Sequence, residues 1–533
     1  MSRALVGNEA RPPSIDTAEL MPPRSRPMSR FLSLFLVLSL LTGAAAAQPA
    51  PTPTPAPPPP APIAPPPSLP ADETAPIGQP ISLPEALQLA VRQSPDLALA
   101  SIDVEIARAQ VLASTGVDDW LLAAGLTLGG GRLNGSDLAV TTVLSGDLTR
   151  SLASGGTLAF HAEAEVDDIF HTDNTFFTDK ASVSFNQPLW RGRGRRFARA
   201  DQAQARAAAN VAALAVEARA TTVVRDVILA YWDLVFAHRD LAIRKSSLAL
   251  ALERRRITQA TIKAGSGADA ELLAVEQIIA TREEEIIASE LAIADDSLAL
   301  RQLLAIEIGP GAIEIAADAP LAVEPRSVDV DALLARAFAA NPELTTLAAQ
   351  ETGATIEVEV TENGLLPQLD LSLSVGPTGA GDNPGDAAAN LVKFDTFAAG
   401  ATLEYSQALG KHGATGAHRA ARARRERIRI DLNGVRLQIA SALVRSVKVL
   451  ESADKRIALA ERAATLAEKN IAAELARLNL GKATNFDVLQ RQDELKQAQL
   501  RRVRAIVDWH KAAATISSLT GDLLGEWGVK LDR

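Results

Sequence analysis

From Gly192 to Lys263 the chain runs 72 residues without a proline, and its only glycines are Gly192 and Gly194. As one helix that run would reach about 108 Å at 1.5 Å rise per residue. Few compact domains need such a rod. A second run, Gly416 to Leu480, is alike and holds one interior glycine, Gly434. Apolar residues in both recur at 3-4 spacing: Ile428, Leu432, Val435, Ile439 and Ala442, then Ile457, Ala460, Ala464, Ala467 and Ile471. Val224, Val227, Tyr231 and Leu234 keep the register in the first run, and Leu272, Val275, Ile279, Arg282 and Ile286 keep it on a returning helix. This is coiled-coil periodicity. A second alanine-rich stripe beside the seam lets each rod approach two neighbours, the arrangement of sheets or cylinders of helices; a plain antiparallel pair is the simpler alternative.

The two rods belong to an internal duplication. Leu83-Pro84-Glu85-Ala86-Leu87 leading to Ser94-Pro95-Asp96-Leu97 is answered by Val330-Asp331-Ala332-Leu333-Leu334 leading to Asn341-Pro342-Glu343-Leu344. Asn186-Gln187-Pro188-Leu189 is answered by Ser406-Gln407-Ala408-Leu409, and Gly265 with Glu271-Leu272-Leu273 by Gly481 with Asp487-Val488-Leu489. The order is collinear. Each half reads as helix, β segment, very long helix, break and long helix.

The β segments alternate with period two. Thr157, Ala159 and His161 oppose Leu158, Phe160 and Ala162; Ala181, Val183 and Phe185 oppose Ser182, Ser184 and Asn186. Leu369, Leu371, Leu373 and Val375 alternate with Asp370, Ser372, Ser374 and Gly376, and Phe397, Ala399, Ala401 and Leu403 precede Tyr405 in the same way. One apolar and one polar face are what the wall of a water-filled barrel requires. Two hairpins are expected, at about 157–190 and 368–409, with polar loops at Asp167 to Asp179 and Pro377 to Thr396. Four strands cannot close around water, so several chains must share a barrel. Residues 120 to 150 hold further strand-like sequence, as an extra hairpin or a lengthened first strand.

Upstream, Arg24, Arg26 and Arg30 precede the apolar run Phe31 to Leu41 and the small residues Ala44 to Ala47. This is the pattern of an export signal, with cleavage expected after Ala47. Residues 49–80 then hold fifteen of the thirty prolines, a tract that excludes helix and central strand and reads as a periplasmic spacer. No later segment repeats the signal's unbroken apolarity, so no transmembrane helix is expected in the mature chain; membrane insertion would require a closed β-barrel. The expected divisions are 1–47, extension and signal; 48–80, linker; 81–308, first repeat; 309–327, connector; 328–521, second repeat; 522–533, tail.

Composition removes other classes. There is no cysteine among 533 residues, which excludes disulfide scaffolds, thiolate metal sites and cysteine nucleophiles. The formal net charge of −10 opposes a nucleic-acid partner despite the basic stretches Gly192 to Arg196 and Arg419 to Arg429. The six histidines, His161, His171, His238, His412, His418 and His510, form no i, i+4 pair, and no metal or cofactor is expected. Gly481-Lys482-Ala483-Thr484 is not a phosphate loop, because Ala476 stands where the first glycine should be. No acid, base and nucleophile constellation recurs, so no enzyme is expected.

The duplicated halves, the Leu83-Pro84-Glu85-Ala86-Leu87 opening with Ser94-Pro95, the Gln187-Pro188-Leu189 exit and the restart from Gly481 to Asp487-Val488-Leu489-Gln490 resemble the TolC-type outer-membrane efflux protein family. The resemblance covers residues 81–520. It implies a mainly α chain with a transmembrane β part: a homotrimer whose 12-stranded β-barrel, four strands per chain, continues into a trimeric α-barrel crossing the periplasm. Its implied partners are a periplasmic adaptor, an inner-membrane pump and outer-membrane lipid. The implied function is a passive exit duct for efflux or type I secretion in the cell outer membrane. The alternative is a periplasm-spanning structural tether without transport.

Carried over residue by residue, Gly265 and Ser266, and Gly481 and Lys482, are the periplasmic helix-turn tips. Asp487 matches an aperture aspartate, Glu271 stands at the corresponding place in the first repeat, and Gln490 departs from a second aspartate. Ala483 replaces an arginine of the closing network. Asp487 also reads as a carboxylate favoured by a helix N-terminus.

Overall fold

The chain is described by a computed structural model covering residues 79–133, 137–170, 174–264, 269–307, 314–317, 319–323 and 328–531. The signal segment, nearly all of the proline-rich linker, and His171, Gly265 and Ser266 lie outside the described residues.

Each repeat begins with a helix broken at a proline. Strand β1 (Gln79–Ile81) leads into α1 (Leu83–Gln93) and α2 (Pro95–Thr115), and their counterparts are α6 (Val330–Ala340) and α7 (Pro342–Asn363). A proline cannot continue a helix but suits its first position, so each X-Pro pair both ends one helix and starts the next. Asn341 completes the second break: its Oδ1 accepts from the backbone of Glu343 and Leu344, at 3.0 and 3.2 Å, and its Nδ2 donates to the Leu519 carbonyl at 3.0 Å. Ser82 and Glu85 form a reciprocal capping box at the start of α1.

The chain then enters one antiparallel sheet. In the first repeat this is β2 (Trp120–Leu133), β3 (Asp137–Ser151), β4 (Thr157–Phe170) and β5 (Asn174–Pro188); in the second it is β7 (Gln368–Gly381) and β8 (Phe397–Ser406). The strand order is β2-β3-β4-β5-β7-β8. The expectation of four strands is therefore corrected to six, and residues 120–150 form an extra hairpin at the sheet's edge. The expected loop at Asp167 to Asp179 also shrinks, because its polar residues pair across the sheet instead of turning: the Thr141 hydroxyl donates to Asp167 at 2.6 Å. The other expected loop is filled by the end of β7 and by α8 (Pro384–Lys393).

The descending rods are α4 (Ala200–Lys263), preceded by the single turn α3 (Arg195–Ala198), and α9 (His412–Asn479); the returning helices are α5 (Asp269–Leu303) and α10 (Asn485–Thr520). Near the sheet, helices pack side by side in the order α2, α4, α7, α9. Below, the long helices pair as α4 with α5 and α9 with α10. The main core lies at mid-length, where Val224, Val227, Ile228, Tyr231 and Leu234 of α4 meet α1, Ile293 and Leu300 of α5, Val507 of α10, and Leu523 of the short α11 (Leu523–Glu526). A parallel pair, β1 with β6 (Ile315–Ala317), is pinned here: Tyr231 donates to the Ile81 carbonyl at 3.2 Å, and Ser297 accepts from the Ile315 amide at 3.1 Å. A second core joins α6, α7, α9 and α10 through Leu333, Leu344, Leu443, Val447 and Trp509.

By length and composition alone α4 is apolar enough to cross a membrane, in a window of mean hydropathy 1.2, where no such helix was expected. That window is 22% buried, and the Ala- and Val-rich sequence serves packing against α2 and α7 on two sides.

Two predictions follow from these supports. Asn341→Ala removes a cap and leaves the Leu519 carbonyl without its donor, so it should cost about 1–2 kcal/mol and lower the melting temperature read by circular dichroism. His510 lies against Trp232 with ring centroids 3.8 Å apart, and burial pushes its pKa down to about 4. Its contribution to stability is complete above the ordinary histidine value and is lost as pH falls from about 6.5 towards 4. His510→Asn should flatten the melting temperature between pH 7 and pH 5; an unchanged slope would remove His510 as the cause.

Candidate channel wall and helix-turn aperture

Residues opposite one another in an antiparallel pair share a face, so the register divides the sheet. Leu122 lies opposite Leu148, Leu126 opposite Leu144, Leu158 opposite Phe185, Phe185 opposite Leu373, and Leu371 opposite Leu403. This face is largely apolar, interrupted by Asp179 opposite Ala164, Asp168 opposite Val140 and Arg150 opposite Trp120. It includes Trp120, Leu122, Leu126, Leu128, Leu144, Phe160, Val375, Leu403 and Tyr405, all exposed.

The other face is polar and charged. His161 Nδ1 lies 2.7 Å from Asp147 across the β3–β4 pair, and Lys180 bridges Glu163 at 2.9 Å and Glu165 at 3.0 Å. Asn186 donates to Ser372 at 2.9 Å farther along. Four carboxylates, counting Asp167, thus stand on one face with one lysine and one histidine. Among the sequence candidates only His161 belongs to this group. Glu163, Glu165 and Lys180 were not singled out, although the alternation that begins at Thr157 runs on through them.

At the helix end of the sheet aromatic rings gather. Trp190 meets Tyr405 edge-on at 6.1 Å, Trp120 lies 6.1 Å from Phe160, and the Arg150 guanidinium stands 5.4 Å over Trp120. The strands are clipped to the helices here. Arg199 pairs with Asp118, which also accepts from Gln202 at 2.8 Å; these partners, Gln202 foremost, hold the Asp118 carboxyl below its usual range. The amide of Gly192 donates to Asn363 at 2.8 Å, joining the exit of the first repeat to the second repeat's approach. Gly155, in the β3–β4 turn, has φ of +90°, and a Cβ there would stand 2.4 Å from the Gly192 carbonyl oxygen. No side chain fits.

At the opposite end, α9 turns into α10 through Leu480 to Thr484, with Gly481 at φ +68°. Lys482 and Gln490 are exposed there. Asp487 closes a capping box: it accepts from the Thr484 amide at 2.8 Å and hydroxyl at 2.7 Å, and these bonds hold its carboxyl below the usual range, aided by Arg477 and Arg491. Glu271, near the start of α5, accepts from Asn485 at 2.8 Å, which joins the restarts of the two repeats. Sequence reading missed Asn485, since an asparagine in a first helical turn carries no signal by itself.

Above that link the contact between α10 and the α4–α5 pair is mixed. Leu489 sits among Ala251, Val275 and Ile279 as a single apolar peg. Two turns on, the ammonium of Lys496, buried, bridges Glu285 and Asp493 at 2.9 and 2.8 Å, and Glu285 also meets Arg244 at 3.0 Å. Buried Arg282 donates to the Ser247 carbonyl at 2.5 Å.

Residues 333–522 match the model of the outer membrane efflux protein family. Compared with curated proteins by sequence, the chain matches none. The fold is that of solved outer-membrane channels. The outer-membrane channel OprN aligns at TM-score 0.60 and 16% identity, over 82% of this chain and 89% of that one. The outer membrane protein VceC of Vibrio cholerae aligns at 0.60 and 16%, over 82% and 96%. The Campylobacter jejuni CmeC outer membrane channel aligns at 0.63 and 14%, over 84% and 90%.

Leu489→Ala should loosen α10 from its neighbours by about 2–5 kcal/mol, seen as faster amide exchange across residues 485–500 with the mid-length core unaffected. The second repeat thus matches the outer membrane efflux protein family over residues 333–522, and the fold of the chain is that of solved outer-membrane channels.

Proposed function

We propose that three copies of this chain form a passive outer-membrane channel, the exit duct of an efflux or secretion system, with no active site of its own. One observation carries the reading: a single antiparallel sheet, apolar on one face and charged on the other, runs directly into helices long enough to leave the membrane behind. The apolar face meets lipid and the charged face lines water. The aromatic cluster at the helix end takes the position of an interfacial girdle. The layer α2-α4-α7-α9 has two free edges of different sequence, and edges of that kind associate head to tail and close as a ring.

In this reading the far helix turns form the aperture, with Asp487, Gln490 and Glu271 near the constriction and Gly481 and Lys482 at the tip, where a periplasmic adaptor docks. An inner-membrane pump supplies the energy. Domain divisions at residues 81–308 and 328–521 follow the same scheme, with the preceding 48–80 as spacer. The seam that must part for opening is polar over much of its length: Asn485 to Glu271 and Lys496 to Glu285 exchange for water at little cost, and Leu489 is the main apolar grip. An acidic ring at a three-fold constriction favours cations.

The test is single-channel conductance of the purified protein in planar bilayers. We expect discrete steps with cation preference, weakened in Asp487→Ala, and a higher open fraction in Leu489→Ala. Silence from folded assemblies of both the native chain and Leu489→Ala would overturn the channel in favour of a structural tether.

A further inference from the structure

We infer that β2 is the strand at which one copy joins the next, so that each copy contributes six strands and three copies close an 18-stranded barrel. The inference rests on the trimeric channel reading and departs from the four strands per chain implied by the family resemblance.

The decisive observation is that β4 has no free edge. For a four-strand contribution β4 would have to meet β8 of the neighbouring copy. Its edge is instead occupied by β3 without a gap, from Leu138 opposite Phe170 to Ser151 opposite Thr157. β3 is covered in turn by β2 along the whole of that strand, from Trp120 opposite Arg150 to Leu133 opposite Asp137. The edges that remain are β2, with 14 residues, and β8, with 10. An unpaired edge inside hydrocarbon leaves several kcal/mol per backbone group unsatisfied, so both must find partners.

Direction, face and position all fit a second copy. β2 follows α2 and runs away from the helix end, while β8 runs back towards it into α9; laid side by side they are antiparallel, as is every other pair in the sheet. The hairpin has the two faces of a barrel wall: Leu122, Leu126 and Leu128 continue the apolar side, while Thr141, Ser145 and Asp147 continue the polar one. A hairpin folded into the lumen as a plug would have no use for a face on which Leu122, Leu126, Leu144 and Leu148 stand together. Each strand edge also continues into a helix edge with exposed apolar residues: Leu99, Ile102, Ile106 and Leu112 on α2, and Ile430, Leu437 and Val444 at heptad spacing on α9. The seam between copies is thus one line, β2 and α2 against β8 and α9.

Calibre agrees. With strands about 4.8 Å apart and tilted about 40°, 18 strands trace a ring about 36 Å across, and 12 strands one of about 24 Å. Twelve helices about 10 Å apart trace a ring of about 38 Å. The wider barrel continues the helical tube without a step.

The chain contains no cysteine, so introduced pairs report cleanly. Leu122→Cys or Leu126→Cys on β2 is combined in the full chain with Ala399→Cys, Ala401→Cys or Leu403→Cys on β8, all on the apolar face, and outer membranes are oxidised before denaturing electrophoresis. We expect covalent dimers and trimers from at least one combination, with partners moving by two residues when the register shifts. Leu158→Cys or Phe160→Cys on β4 with the same β8 set should give none. Links from β4 and not from β2 would overturn the six-strand contribution and leave the trimeric channel standing. Native mass spectrometry of the unmodified protein separates the remaining outcomes: a trimer that links from neither strand overturns the inference alone, and a monomer overturns the channel reading with it.

Discussion

A strand edge in lipid has no water to fall back on, and much of this molecule follows from that. In the proposed channel the sheet turns one face to hydrocarbon, and its two edges cannot remain there unpaired. On that reading a single copy is not a complete membrane unit. Whatever completes it must supply backbone donors and acceptors along β2 and β8 together. The helices obey the same demand more loosely, because α2 and α9 satisfy their own backbones and leave only side chains uncovered. The strict requirement sits in the sheet, and the helical layer follows its geometry.

Outside the sheet the fold must hold without disulfides, and it does so by concentrating apolar packing at mid-length. There α4 is surrounded by α1, α5, α10 and α11, and buried Tyr231 and Ser297 pin the β1–β6 pair to the helices. Towards the turns the packing thins and becomes polar. Lys496, Glu285, Arg244 and Arg282 are tied by hydrogen bonds, which give direction to the contact, while the hydrophobic contribution rests on Leu489 and its neighbours. Such a gradient separates a rigid girdle from ends that move at lower cost.

The sequence carried much of this in legible form. Proline-free runs gave the rods, because nothing interrupts a helix more reliably than proline, and the paired Ser94-Pro95 and Asn341-Pro342 breaks exposed the duplication. The strand faces were legible from alternation alone. The number of strands was not. Gly129, Gly130 and Gly131 dilute the pattern of β2, and Asp167 and Asp168 read as loop residues when they stand on and beside a charged strand face. The candidate aperture was legible only by correspondence: Asp487 lies where the repeat places it, but its bonds to Thr484 belong to helix capping, and its partner region contains Asn485, which no pattern marks. Tertiary pairing decided each of these, and pairing between distant segments leaves no local trace.

The extra hairpin lies between α2 and β4, both of whose meeting ends face the helices. A segment that goes out and comes back returns the chain to where it left, so it can be gained without moving the rods or reversing any neighbour. Barrels built this way can widen by two strands per copy, and the change is confined to one of the two repeats. The halves have therefore ceased to be equivalent, and in the proposed trimer a wall that duplication alone would make nearly six-fold becomes strictly three-fold, with broad and narrow panels alternating around the mouth.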